Sequence, residues 1–151
     1  SNLLVPLIEK VTVPKSFGKK KPEKETSKPH HYISSDGFDI YVGKNNTQND
    51  KLTLKFANSA DIWFHTKKIH GSHVIIKLGK DKEVPERTMT EAAALAAYFS
   101  KARESSRVPV DYTQIKNVKK PNGAKPGMVI YDSYNTIYVN PEIREGVREE
   151  Q

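Results

Sequence analysis

The sequence predicts an α+β domain: a mixed, mainly antiparallel sheet built from hairpins and packed by one long alanine-rich helix and a shorter helix. If residues 61–65 and 74–78 are strands, in which successive side chains alternate between faces, Ile62 and Phe64 share one face, and so do Val74, Ile76 and Leu78. Residues 88–102 instead repeat apolar side chains at helical spacing. The pair Asp36-Gly37, which lies between two further apolar runs, indicates a β-hairpin.

The composition favours an anionic partner. The 151 residues suit one domain with a tail, and they carry a formal net charge of +7 with a pI of about 9.5. The absence of cysteine excludes disulfides and thiolate metal sites and suits a reducing compartment. No apolar run approaches the roughly 20 residues of a membrane span, and no secretion signal is visible. We therefore expect a cytoplasmic protein without a membrane partner, and we hypothesise that the chain, which begins without Met, is a fragment.

The two ends of the chain are expected to lie outside the folded domain. Residues 1–29 contain seven lysines, three glutamates and four prolines, a composition typical of a flexible linker. The folded domain is expected over residues 30–140. Residues 141–151 carry mixed charge and are expected to fray as a tail.

The segment 45–60 fits two structures. Its apolar positions 52, 54 and 56 alternate as in a strand, while Leu52 and Phe56 also have the i, i+4 spacing of a helix. We favour a short helix, for which Asn46 or Asn49 would serve as the N-cap.

The predicted strand 61–65 directs Ile62 and Phe64 to one face and Trp63 to the other, and residues 74–77 form its antiparallel neighbour. A core takes the aliphatic face, so we expect Trp63 to be exposed beside ionisable side chains, where it could stack on a base. The alternative is that Trp63 belongs to the core and that His73 is only a hydrogen-bonded histidine. The polar face would hold Asp61, Trp63, His65, His73 and Lys77, with Lys67 and Lys68 in the loop between the strands.

The clearest predicted helix is residues 88–102. Thr88 and Glu91 have the spacing of a capping box. Arg103 follows the helix, where it would complement the helix dipole or extend a phosphate-binding surface. The apolar stripe of this helix consists of Ala92, Leu95, Ala96, Phe99 and Ala102.

The last third of the domain contains a predicted strand, a basic loop and a hairpin. Residues 108–112 read as a strand in which Pro109 favours an edge position. The turn-rich loop 121–127 could lay backbone N–H groups and ammonium groups against phosphates, or could be an ordinary lysine-rich loop. Residues 128–131 and 136–139 are expected to form a final hairpin. The lysines around the loop are Lys116, Lys119, Lys120 and Lys125.

Several motifs resemble, in order, the NFACT-R domain, the RNA-binding domain of NEMF-type ribosome quality-control proteins, whose bacterial members are also labelled fibronectin-binding protein A-like. The likeness covers about residues 30–140 and implies an α+β fold with a helix over residues 46–57. The motifs are Asp61-x-Trp63-x-His65, Gly71-Ser72-His73-Val74-Ile75-Ile76, Ala102-Arg103-Glu104-Ser105-Ser106, Val108-Pro109-Val110-Asp111-Tyr112-Thr113, Val118-Lys119-Lys120-Pro121 and Gly123-Ala124-Lys125-Pro126-Gly127.

The resemblance implies that the partners are tRNA, alanyl-tRNA in particular, and the large ribosomal subunit that carries a stalled peptidyl-tRNA. Full-length bacterial members support untemplated alanine tailing of the stalled chain. The family's N-terminal region and coiled-coil arms are not in this sequence, so we expect a single RNA-binding module that does not support tailing alone.

We expect Trp63 to stack on a base, with His65 and Asp61 at a base edge or a ribose hydroxyl. Trp63→Ala should then weaken tRNA binding by about one to two orders of magnitude, and an unchanged affinity with the fold intact would reject this role. The predicted RNA-binding residues are Asp61, Trp63, His65, Lys67, Lys68, His73, Lys77, Arg103, Lys116, Lys119, Lys120 and Lys125.

Three other functions remain open. An enzyme is disfavoured because the histidines match no metal-binding spacing and Ser72 lies in no nucleophile elbow, so we expect no catalytic residue, metal or cofactor. A fibronectin-binding adhesin is supported only by the family label. A generic basic RNA-binding module would lack a preference for tRNA.

Overall fold

This computed structural model describes residues 27–80 and 83–151. They form nine strands and two α-helices. The predicted linker lies almost wholly in residues 1–26, outside the described residues. The strands are β1 His30–Ile33, β2 Asp39–Val42, β3 Ile62–Thr66, β4 Val74–Lys77, β5 Val108–Gln114, β6 Val118–Lys119, β7 Ile130–Tyr131, β8 Asn135–Val139 and β9 Arg148–Glu149. The helices are α1 Asn46–Lys51, which continues into a π-helical turn Leu52–Phe56, and α2 Glu86–Tyr98.

Seven strands form one sheet in the order β8-β5-β3-β4-β2-β1-β9, and every neighbouring pair is antiparallel. The two central strands pair as predicted, with Ile62 opposite Ile76. The hairpin of β1 and β2 is also confirmed, and Gly37 adopts a positive φ of 88° in its turn. The α+β class is confirmed. No helix within the described residues is long and apolar enough to cross a bilayer.

The helix α2 packs on one face of the sheet through its alanines and Leu95, against Phe64, Val74 and Ile76. Small side chains let a helix approach a sheet closely. Ala92, Leu95 and Ala96 of the predicted apolar stripe are confirmed on this helix, but the predicted helix end is wrong, because α2 ends at Tyr98 and leaves Phe99 and Ala102 beyond it. The predicted capping box is wrong as well. Helix α2 begins at Glu86, two residues before Thr88, and its N-cap residue, Pro85, makes no side-chain capping bond. The amide of Ser35, in the β1–β2 turn, donates to the buried Glu91 at 2.8 Å, while Thr88 lies 2.8 Å from the hydroxyl of Ser34.

A second layer covers the opposite face of the sheet. Helix α1 with its π-helical turn, and the small sheet of β6 and β7, enclose a separate cluster of Leu52, Trp63, Ile75 and Val118. The predicted short helix is confirmed. Its N-cap is Asn45, not Asn46 or Asn49: the Asn45 side chain accepts a hydrogen bond from the amide of Gln48 at 2.9 Å.

The strand pairing near the C-terminus differs from the sequence predictions. Strand β5 is central, so the edge position predicted for Pro109 is wrong. The Pro109 carbonyl accepts from the amide of Lys67, beyond the end of β3, at 2.9 Å. The N and C=O of a strand residue point to the same side, so the missing N–H of Pro109 interrupts no bond between β5 and β8.

The predicted final hairpin is wrong as well, because its two halves pair with different strands. Strand β7 pairs with β6, and β8 pairs with β5. The predicted fraying of the tail is wrong for Arg148 and Glu149, which form β9 beside β1.

Candidate nucleic-acid interface

The indole of Trp63 is enclosed, and the prediction that it is exposed is wrong. Only 1% of the residue is accessible, and its ring packs against Leu52, Ile75 and Val118. Tyr131 lies across it at 4.7 Å between ring centroids. A ring in this position cannot stack on a nucleotide while the second layer stays in place, so in this structure Trp63 is a core residue.

His73 and His65 lie beside the indole and are buried too. The ring of His73 is hydrogen-bonded at both nitrogens, to Trp63 and Thr53 at Nδ1 and to the Gly127 carbonyl at Nε2. The ring of His65 lies parallel to that of Trp63 and donates to the Thr66 carbonyl at 2.7 Å. Burial is the main cause that lowers the pKa of His65 to about 4 and that of His73 to about 3, so both rings are neutral at pH 7.

Asp61, the residue that precedes β3, is buried. Its carboxylate accepts hydrogen bonds from the amides of Asn58 at 2.8 Å and Leu78 at 3.0 Å, and pairs with the ammonium of Lys77 at 2.8 Å. These contacts occupy both oxygens of Asp61 with protein donors. The prediction that Asp61 and Lys77 lie on an exposed face and contact RNA does not agree with this arrangement. Within the described residues, no three His, Asp or Glu side chains converge as metal ligands would.

Two further predicted phosphate contacts are engaged within the fold. The ammonium of Lys67 lies 3.0 Å from the buried carboxylate of Asp111, and this hydrogen bond is the main cause that raises the pKa of Lys67. Lys120 pairs with Asp50 at 3.1 Å and donates to the Lys125 carbonyl at 2.7 Å. The exposed members of the predicted set are Lys68, Arg103, Lys116, Lys119 and Lys125.

A surface that the sequence analysis missed lies at the β8 edge of the sheet. We call it the tyrosine patch and define it as Lys67, Lys68, Arg107, Tyr134 and Tyr138. Tyr134 is 44% exposed and Tyr138 57% exposed. The ammonium of Lys67 lies 4.6 Å from the ring centre of Tyr134, and the guanidinium of Arg107 lies 5.5 Å from that of Tyr138. Exposed rings flanked by cations offer stacking faces beside positive charge.

The backbone around the tyrosine patch is strained. Within the described residues, the non-glycine residues with positive φ are Lys68 at 54°, Arg107 at 51° and Ser133 at 52°. Two of them belong to the patch, and the third precedes Tyr134. Side chains disfavour this region, and such residues cluster at functional sites. The sequence held one signal for the patch: Tyr134, Thr136 and Tyr138 occupy alternate positions, and two of the three are aromatic.

Comparisons with known proteins identify a matching family and several relatives of this chain. The family model described as "NFACT protein RNA binding domain" matches residues 28–133. The "Rqc2 homolog RqcH" of Bacillus subtilis is 54% identical over 129 residues, which cover 82% of this chain and 22% of that protein. The RqcH of Streptococcus suis is 50% identical over 115 residues, covering 76% and 20% of the two chains. The chain therefore spans about a fifth of the length of these relatives.

A solved structure has the same fold. It is described as the C-terminal part of the fibronectin/fibrinogen-binding protein from Streptococcus suis, is 45% identical, and superposes with a TM-score of 0.76. The match covers 82% of this chain and 49% of that one.

Proposed function

Because this chain belongs to the family of NFACT RNA-binding domains of ribosome quality-control proteins, we propose that it binds tRNA, alanyl-tRNA in particular, and the large ribosomal subunit that carries a stalled peptidyl-tRNA. As part of a longer cytoplasmic factor, it would hold RNA while that factor supports alanine tailing of the stalled chain. The module itself would be non-catalytic. The net charge of +7 supports a polyanionic partner.

The observation that carries this proposal is the tyrosine patch. Tyr134 and Tyr138 present exposed rings with cations beside them, whereas Trp63 presents nothing to solvent. Unpaired bases of an RNA loop would stack on the tyrosines, and Lys68 and Arg107 would contact the adjoining phosphates. Lys67 would orient Tyr134 while it remains paired with Asp111.

The remaining exposed cations would extend the contact along the backbone of the RNA. Lys116, Lys119 and Lys125 lie in or beside the segment that joins β6 to β7, and within the described residues none of them pairs with a carboxylate. Cations that folding has not neutralised can pair with the phosphates of the RNA. This pairing releases the counterions condensed on the RNA, which favours binding.

The test is a titration of labelled alanyl-tRNA or uncharged tRNA, followed by fluorescence anisotropy, with the double variant Tyr134→Ala/Tyr138→Ala. Base stacking on an aromatic contributes roughly 1–3 kcal/mol per base, so we expect an affinity loss of at least about tenfold. Phe56→Ala is the matched control, because Phe56 is 43% exposed and also has an ammonium, that of Lys77, 4.6 Å from its ring centre. Equal affinities for the wild type and the double variant would reject the patch as the RNA site.

Fibronectin is a second candidate partner, because the solved relative is named as a fibronectin/fibrinogen-binding protein. The titration at physiological salt should therefore include fibronectin, and unrelated single-stranded RNA as a competitor. Tight binding to fibronectin without binding to tRNA would favour an adhesin, and equal competition by unrelated RNA would indicate a module without tRNA preference.

A further inference from the structure

A polar cleft of about 300 Å³ opens on the side of the domain where the loop β2–α1 meets the loop β3–β4. Glycines form part of its wall. A Cβ atom on Gly43 would lie 2.0 Å from the side-chain oxygen of Asn49, and one on Gly71 would lie 2.8 Å from the Cβ of Ser100. Both positions therefore require glycine, and the backbone itself lines the cleft.

The cleft carries positive charge that the fold does not neutralise. Lys44 and Arg103 line it and are exposed. Within residues 27–80 and 83–151, no carboxylate lies at ion-pair distance from either of them, in contrast to Lys67, Lys77 and Lys120. Unpaired cations on opposite elements of one concave surface are suited to an anionic group from outside the molecule.

An aromatic wall lies beside these cations. The ring of His30 stacks on that of Phe99 with the centroids 4.6 Å apart, and the guanidinium of Arg103 lies 5.7 Å from the centre of Phe99. His70 also lines the cleft. Burial and then the charge of Lys101 lower the pKa of His70, so its neutral ring can both donate and accept hydrogen bonds at pH 7.

We propose that the polar cleft binds one nucleotide of single-stranded RNA, with the base against His30 and Phe99 and the phosphate between Lys44 and Arg103. The inference rests on the proposed function for its ligand, but the site shares no residue with the tyrosine patch. The size agrees with a single nucleotide, because small-molecule sites begin near 300 Å³. The carboxylate of Glu149, 3.4 Å from His30, disfavours a phosphate on that side and leaves it to the cations.

The first test locates the site without mutation. ¹⁵N-labelled protein is titrated with adenosine 5′-monophosphate, and the amide resonances are followed by NMR. We expect saturable shifts at Gly43, Gly71 and Ser72, and weaker binding of inorganic phosphate or adenosine alone. Equal binding of inorganic phosphate would reduce the site to an anion site and overturn the nucleotide assignment. Shifts confined to residues 134–138, or none, would overturn the site itself.

The second test separates this site from net charge. Lys44→Ala/Arg103→Ala removes two cations from the cleft, and Lys51→Ala/Lys55→Ala removes two exposed cations elsewhere. For a short single-stranded RNA, we expect the cleft variant to lose about tenfold more affinity than the control and its salt dependence to be shallower by about one unit. The single variant Lys44→Ala should show about half of the effect on a logarithmic scale, and it guards against a disturbed Arg103–Tyr98 contact.

The outcomes distinguish the two proposals. If the cleft variant equals its control while Tyr134→Ala/Tyr138→Ala still loses tRNA affinity, the cleft inference fails and the proposed function stands. If the wild type binds adenosine 5′-monophosphate at the cleft but does not bind tRNA, the proposed function fails and the nucleotide site stands.

Discussion

The indole Nε1 of Trp63 donates a hydrogen bond to Nδ1 of His73 across 3.2 Å, and this bond joins β3 to the residue that precedes β4, beneath the second layer. The hydroxyl of Thr53 lies 2.6 Å from the same nitrogen, while Nε2 lies 3.0 Å from the carbonyl of Gly127. Since Nδ1 accepts, Nε2 must carry the proton and donate. A neutral His73 thus links both central strands, the π-helical turn and the segment before β7.

Replacement of Trp63 tests whether it is a core residue. Trp63→Phe removes the donor to His73 and leaves a void, so we expect a loss of about 1–3 kcal/mol in the free energy of unfolding. Urea denaturation followed by far-UV circular dichroism measures it. Affinity for tRNA, measured under conditions where the variant is folded, should stay within about twofold of the wild type. A folded variant that loses tenfold in tRNA affinity would show that the ring contacts RNA after all.

The two buried histidines make stability depend on pH. An unfolded histidine titrates near pH 6.5, whereas burial lowers the pKa of His65 to about 4 and that of His73 to about 3. Below about pH 6.5 the unfolded state therefore binds more protons than the folded state, and acid favours unfolding. We expect the free energy of unfolding to fall as the pH decreases from about 6.5 to about 4, by up to about 1.4 kcal/mol per pH unit for each histidine.

The fluorescence of Trp63, the single tryptophan, reports this unfolding in urea titrations at several pH values. His65→Asn should remove part of the slope between about pH 6 and pH 4.5. Lys68→Ala, which changes an exposed side chain outside the histidine cluster, should leave the slope unchanged. A free energy of unfolding that is flat across this range would contradict the assignment of two neutral buried rings.

Local periodicity was sufficient to predict which face each central side chain occupies. Ile62 and Phe64 lie on the α2 side, and Trp63 lies on the other, as the alternation predicts. What it could not show is that a second layer covers the other face. A buried polar side chain with a protein partner has the same sequence pattern as an exposed one, and Asp61, which binds Lys77, is such a side chain.

Long-range partners account for the other errors. Thr88 and Glu91 have capping-box spacing, but their partners are in the β1–β2 turn, more than 50 residues away along the chain. Strands β7 and β8 are neighbours in sequence, yet they pair with different strands. Strand β7 pairs with Val118 and Lys119 of β6, and β8 pairs with β5. The spacing of residues in the sequence favours pairing between neighbouring segments. It contains no information on which distant segment supplies the hydrogen-bond partner.

Glu91 tests one of these long-range contacts. The residue is 2% exposed, and its carboxylate accepts from both the amide and the hydroxyl of Ser35. Glu91→Ala leaves these donors unpaired and should lower the free energy of unfolding by about 1–3 kcal/mol. Thermal unfolding measures the change. Glu86→Ala, at an exposed position in the first turn of the same helix, is the control and should cost less than about 1 kcal/mol. Equal losses in the two variants would mean that the bond to the turn adds nothing.

The adjacent Lys119 and Lys120 should have separable roles. Lys119 is exposed and pairs with no carboxylate of the described residues, whereas Lys120 pairs with Asp50, which also accepts from the amide of Gly127 at 2.7 Å. Lys119→Ala should make the slope of log affinity for tRNA against log salt, between about 50 and 200 mM, shallower by about one. Its stability should not change.

Lys120→Ala should show the reverse: a loss of about 1 kcal/mol in the free energy of unfolding, because the half-buried carboxylate of Asp50 loses its ammonium partner, and an unchanged salt slope. The double variant Asp50→Asn/Lys120→Ala should recover part of that loss, since no unpaired charge remains. A shallower slope for Lys120→Ala with unchanged stability would instead place its ammonium on the RNA and show that the ion pair with Asp50 opens on binding.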